Sequence, residues 1–153
     1  MKTQAARQRA PWHLWLVGIF GLLWNSVGAF DYFMTQTRSE SYMDRLTAEQ
    51  LEVLNGFPTW LVASWALAVW GGVLGALLLL MRKGLAVPVL VASLVAMAVT
   101  AIQDFSSANG MYETAGTGPG FVLLIFAIAL GLWFYARAMS QRGVLVQGNS
   151  RLR

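Results

Sequence analysis

Six polar side chains of this chain sit where chemistry could be done: Asn25, Asp31, Tyr32, Thr100, Gln103 and Asp104. Each lies within or at the end of a long apolar run, where a polar group without a partner is costly. Gly18, Gly21, Asn25, Gly28 and Tyr32 follow steps of three and four residues, which places them on one face of a helix. Ser93, Ala96, Thr100 and Gln103 share a second face, with Asp104 beside it. At 1.5 Å per residue, Asn25 lies roughly 20 Å along the helix from Trp12, well inside a membrane. The economical arrangement has the two stripes meeting in a bundle interior, with Asn25 turned toward the third helix. There the amide, hydroxyl and carboxamide would act as interhelical glue. A second use adds the two carboxylates. Asp31 and Asp104 fall at helix C-termini, where the macrodipole is already negative, so Arg38, Arg45, a cation or a proton would have to compensate them. Together the six would then line a shallow outward-facing vestibule for a cation or small polar solute.

Other chemistries find no residues. The chain has no cysteine and one histidine, His13, so thiol catalysis, disulfides, thiolate metal sites and a three-histidine zinc site are excluded within one chain. No nucleophile elbow or phosphate-binding glycine loop is present, and the expectation is a non-enzyme without cofactor or metal. His13, beside Trp12 and Trp15, reads as an interfacial side chain.

The elements that must position these residues are transmembrane. The chain is 57% hydrophobic and 12% charged over 153 residues, against about a quarter charged in soluble domains. Leu14 to Leu23, Trp60 to Leu80, Leu85 to Ile102 and Phe121 to Ala136 carry no formal charge. With short extensions each approaches the roughly 20 residues that cross a hydrocarbon core. The expected fold is all-α, an integral membrane bundle of four transmembrane helices. The spans are read as Trp12 to about Met34, from Pro58 to Met81, Leu85 to Asp104, and from Pro119-Gly120 past Met139. A terminal segment (1–11), the bundle (12–139) and a basic tail (140–153) make up the chain. The tail from Gly143 onward reads as frayed. The start resembles a secretory signal with small residues at Val27-Gly28-Ala29, but the apolar run is too long for one, and retention as a helix is expected.

Between spans one and two, Thr47-Ala48-Glu49-Gln50 has the capping-box pattern, and Leu46, Leu51 and Leu54 form an apolar stripe before Gly56. This predicts a short amphipathic helix on the outer face. Phe105 to Gly118, with Asn109-Gly110, reads as turn and loop. Gly71 and Gly75 form a GxxxG element suited to close helix packing. Ala92 with Ala96, and Ala127 with Gly131, are further small-residue pairs. Trp24, Trp65 and Trp70 read as packing material. The two halves echo one another, as in Phe30-Asp31-Tyr32 and Gln103-Asp104-Phe105, in the manner of a parallel repeat.

Charge orients the bundle. Lys2, Arg7, Arg9, Arg82, Lys83, Arg137, Arg142, Arg151 and Arg153 flank one set of helix ends, and only Arg38 and Arg45 accompany the seven acidic residues at the other. Basic residues accumulate on cytoplasmic segments, so both termini are expected in the cytoplasm. The net charge of +4 is better explained by orientation and by anionic lipid headgroups than by nucleic acid.

Taken from Trp12-His13-Leu14-Trp15 through Asn25-Ser26-Val27-Gly28-Ala29-Phe30-Asp31-Tyr32 to the fourth span, the chain resembles a group of short proteobacterial inner-membrane proteins. Asp31-Tyr32-Phe33-Met34-Thr35-Gln36-Thr37 carries the resemblance most strongly, with Trp70-Gly71-Gly72 in support. Some members bear a sugar-transporter label, and the resemblance implies a multi-pass protein of the bacterial inner membrane. The Pro-Gln motif of three-helix sugar carriers is missing here, as is the helix-one glutamate of small multidrug exporters. Two functions are therefore expected: an oligomeric small-solute or cation transporter, or a non-catalytic accessory or assembly subunit of a membrane complex. Membrane lipids and a homo-oligomer or larger complex are the expected partners.

Overall fold

A computed structural model describes residues 9–106, 110 and 118–146. Among the described residues there are six helices: α1 (Trp12–Gln36), α2 (Glu40–Met43), α3 (Ala48–Asn55), α4 (Thr59–Leu80), α5 (Ala86–Ser106) and α6 (Gly118–Gln141). Four of them, α1, α4, α5 and α6, are long and apolar enough to cross a membrane. The all-α membrane-bundle architecture is thus the one that the apolar runs dictate. The expected loop from Phe105 onward lies largely outside the described residues, as do the tail beyond Val146 and the segment before Arg9.

Local chemistry accounts for most boundaries. Pro11 and Pro58 hold extended backbone at the N-caps of α1 and α4, and Pro88 falls in the first turn of α5, where no helical hydrogen bond is lost. The capping box at α3 is formed in both directions: Gln50 N–H donates to Thr47 Oγ1 at 3.2 Å and Thr47 N–H donates to Gln50 Oε1 at 2.9 Å. Leu54 of this helix is buried. The single turn of α2, which no sequence pattern signals, folds the chain back toward the end of α1.

Three long helices stop in the same way. At the ends of α1, α4 and α6 the chain enters the left-handed region at Arg38 (φ 51°), Arg82 (φ 58°) and Gly143 (φ 69°). Each stop carries the paired bonds of a Schellman motif. They are Ser39 N–H to Met34 O with Arg38 N–H to Thr35 O, Lys83 N–H to Leu78 O with Arg82 N–H to Leu79 O, and Val144 N–H to Met139 O with Gly143 N–H to Ser140 O.

Helix α4 is the centre of the bundle. Both α1 and α5 pack along it, α6 lies mainly on α5, and α1 and α5 hardly meet. Glycines on two faces of α4 make this arrangement possible. A Cβ at Gly71 would lie 3.0 Å from Ser93 Cβ, and one at Gly75 would lie 2.5 Å from Leu90 Cδ2, both on α5. A Cβ at Gly72 would lie 2.0 Å from Asn25 Oδ1 on α1. The GxxxG element therefore serves internal packing, as expected of helices that gain little hydrophobic drive from pairing in lipid. The other small pairs divide: Ala96 is buried, but Ala92, Ala127 and Gly131 are exposed.

The tail departs from expectation. Instead of fraying from Gly143, the chain turns inward and buries Val144 and Leu145, each 3% exposed, with Leu14, Leu79, Ala86, Leu90, Ala136 and Met139. Val146 then pairs with the α4–α5 turn. Its N–H donates to Arg82 O at 2.7 Å, its carbonyl accepts from Gly84 N–H at 2.9 Å, and Arg82 Nε donates to Val144 O at 3.2 Å. An apolar core thus closes the basic end of the bundle.

Candidate functional site

The six candidate residues divide between two helices, Asn25, Asp31 and Tyr32 on α1 and Thr100, Gln103 and Asp104 on α5. On α1, Asn25 donates from Nδ2 to the carbonyl of Gly21 in its own helix, at 2.7 Å. Its Oδ1 fills the space that a side chain at Gly72 would need. The expected meeting with the third span is corrected here, since Asn25 faces α4, the second span. The reason is geometric: α4 stands between the two stripes, and its doubled glycine opens one face to each. Gly28 follows the same face, with Val69 Cγ1 lying 3.4 Å from the position a Cβ would take. Gly18 and Gly21 admit the side chains of Leu80 and Leu132.

One turn beyond Gly28, Tyr32 packs edge-on against Trp65 of α4, with ring centroids 5.0 Å apart. Asp31 is half-buried and accepts a short hydrogen bond from the Tyr42 hydroxyl, at the turn formed by α2. The C-terminal end of α1 is thus tied to α2 by a carboxylate rather than left open.

On α5 the polar stripe also bonds locally. Thr100 Oγ1 donates to Met97 O at 2.8 Å, within its own helix. Gln103 and Asp104 are both partly buried, and Gly110 returns to Asp104, where an added Cβ would lie 2.8 Å from Asp104 Oδ2. Asp31 and Asp104 belong to helices on either side of α4, each engaged with the segment that follows it.

Two polar contacts between α4 and α5 involve residues of lower profile. Ser93 Oγ donates to Ala68 O at 2.5 Å, and Ser64 Oγ donates to Ala96 O at 3.1 Å. The α4–α5 seam is thereby laced in both directions, hydroxyl to backbone carbonyl. Ser64, Ala68, Gly71 and Gly75 are spaced four, three and four residues apart, a signal readable in the sequence had the serine been placed with the glycines.

At the opposite, basic end, His13 is partly buried, and its Nδ1 lies 2.5 Å from the Tyr135 hydroxyl of α6. This interfacial histidine therefore ties α1 to α6, two helices with few other contacts. Beside it lies a partly open pocket of about 270 Å³ lined by Arg9, Pro11, His13, Met139, Arg142 and Val144. Trp12 is 73% exposed at the same level. Arg137 places its guanidinium 5.5 Å from the Trp133 ring centroid, a cation–π contact. Of the deeper tryptophans, Trp65 packs as expected, whereas Trp70 turns to the outer surface.

No protein family, curated protein or solved structure matches the chain. The four apolar spans mark it as a multi-pass membrane protein.

Proposed function

We propose that this protein is a non-catalytic accessory or assembly subunit that packs against a larger membrane complex through α6. One contrast carries the reading. The glycines that face inward from α1 and α4 are filled by neighbouring side chains, but Gly131 of α6 faces open space, with no atom within 4 Å of an added Cβ. Gly120, Leu124, Ala127, Gly131 and Phe134 are all exposed and share one face of α6, the least covered of the four spans. Small residues on an outward face allow a further helix to approach closely. Within the chain, Ser64 and Ser93 bond to backbone carbonyls across the α4–α5 seam and Asn25 and Thr100 bond within their own helices, which suits a scaffold whose polar groups are engaged internally. The distribution of bases supports a bacterial inner-membrane location with both termini in the cytoplasm.

A photo-crosslinking residue introduced at Gly131 or Ala127 in native membranes tests this. A discrete adduct with another polypeptide is expected there, and none from Ser93 in the closed seam. Adducts with lipid alone would contradict the reading.

An oligomeric transporter of small solutes or cations is the alternative, and the partly buried Asp31 bonded to Tyr42 at the acid-rich end favours it. That function would require proteoliposomes to accumulate a solute or cation and to lose this on Asp31→Asn.

A further inference from the structure

We infer that the pocket at the basic end is a binding site for the phosphate of an anionic membrane lipid. Two guanidinium-bearing residues, Arg9 before α1 and Arg142 at the end of α6, line one cavity with His13. Among the described residues no acidic side chain lies at this end: Asp31, Glu40, Asp44, Glu49, Glu52 and Asp104 all fall near the opposite helix ends or in the segment between α1 and α4. The first turn of α1 begins beside the same cavity and adds the positive end of a helix dipole. Arginine forks match phosphate oxygens. At about 270 Å³ the space falls below the ~300 Å³ from which pockets for drug-sized molecules begin, and it suits a headgroup. Its surroundings select a lipid-borne phosphate. Trp12, Trp15 and Leu16 are exposed on the adjoining stretch of α1, an apolar flank along which an acyl chain can lie, with tryptophans at headgroup level.

The site differs in kind from diffuse attraction between a basic surface and a membrane, and that difference is measurable. The full chain is reconstituted in phosphatidylcholine bilayers containing a minority of phosphatidylglycerol. Tryptophan quenching by each brominated lipid gives the relative binding constant. The wild type is expected to prefer phosphatidylglycerol, Arg9→Gln and Arg142→Gln each to lower that preference by up to about fivefold, and the double variant to abolish it. Arg137→Gln, at the same end but outside the pocket, should leave it unchanged. Three results would overturn the proposal: no preference in the wild type, an equal loss in Arg137→Gln, or displacement of phosphatidylglycerol by millimolar inorganic phosphate, which would assign the pocket to a soluble anion.

Discussion

At the scale of single residues, α4 and α5 are held by two serine hydroxyls directed at backbone carbonyls of the facing helix. Ser93 to Ala68 O and Ser64 to Ala96 O run in opposite directions across one seam, so each helix both donates and accepts. Hydrogen bonds between membrane helices contribute about 0.6 kcal/mol on average and up to ~1.7 kcal/mol. Ser93→Ala, which removes the shorter and fully buried bond, should cost toward the upper end, and Ser64→Ala nearer the average, as read by reversible unfolding in mixed micelles. Thr100→Val should cost less than either, because its hydroxyl bonds only within α5. The sequence showed which residues share a face, since helical period alone decides that. It did not show which helix the face meets. The polarity of both stripes points Asn25 toward the third span, whereas its partner is Gly72, a residue with no side chain to announce itself.

At the scale of elements, two helix stops place arginine where glycine is usual. A side chain in the left-handed region costs roughly 1 kcal/mol, and Arg38 is exposed. Arg38→Gly should therefore raise the melting temperature. Arg82→Gly should gain less or nothing, because it also removes the bond from Nε to Val144 O. The docked tail carries a larger effect. Leu145→Ala removes a side chain that is 3% exposed and should cost about 2–4 kcal/mol, whereas a freely fraying tail would tolerate it. The capping box of α3 was legible because its two partners are three residues apart. The docking of Val144 to Val146 was not, because it depends on a turn some sixty positions earlier in the chain, and Gly143 alone signals only that a helix ends.

At the scale of the whole molecule, apolar run length and charge distribution specify four spans and their pairing of ends, because the bilayer imposes a length and translocation sorts the bases. A cytoplasm-active reporter fused after Arg153 should be functional, and one inserted between Thr37 and Glu40 should be silent. The lateral order of helices was not legible. It follows from α4 offering Gly71 and Gly75 to α5 and Gly72 to α1, so that neighbours approach from two sides. The candidate polar residues accordingly belong to α1 and α5, the two helices that flank the central α4.

The contact between Asn25 and Gly72 tests that α4-centred packing most directly, through a double-mutant cycle in unfolding free energy. Gly72→Ala forces a Cβ to within 2.0 Å of Asn25 Oδ1 and should cost about 1–3 kcal/mol. Combined with Asn25→Ala, which vacates that space, most of the penalty of Gly72→Ala should disappear, giving a coupling of 1 kcal/mol or more in order of magnitude. Additive losses, with the cost of Gly72→Ala unchanged by the second substitution, would contradict the packing of α1 on α4 and the account built on it.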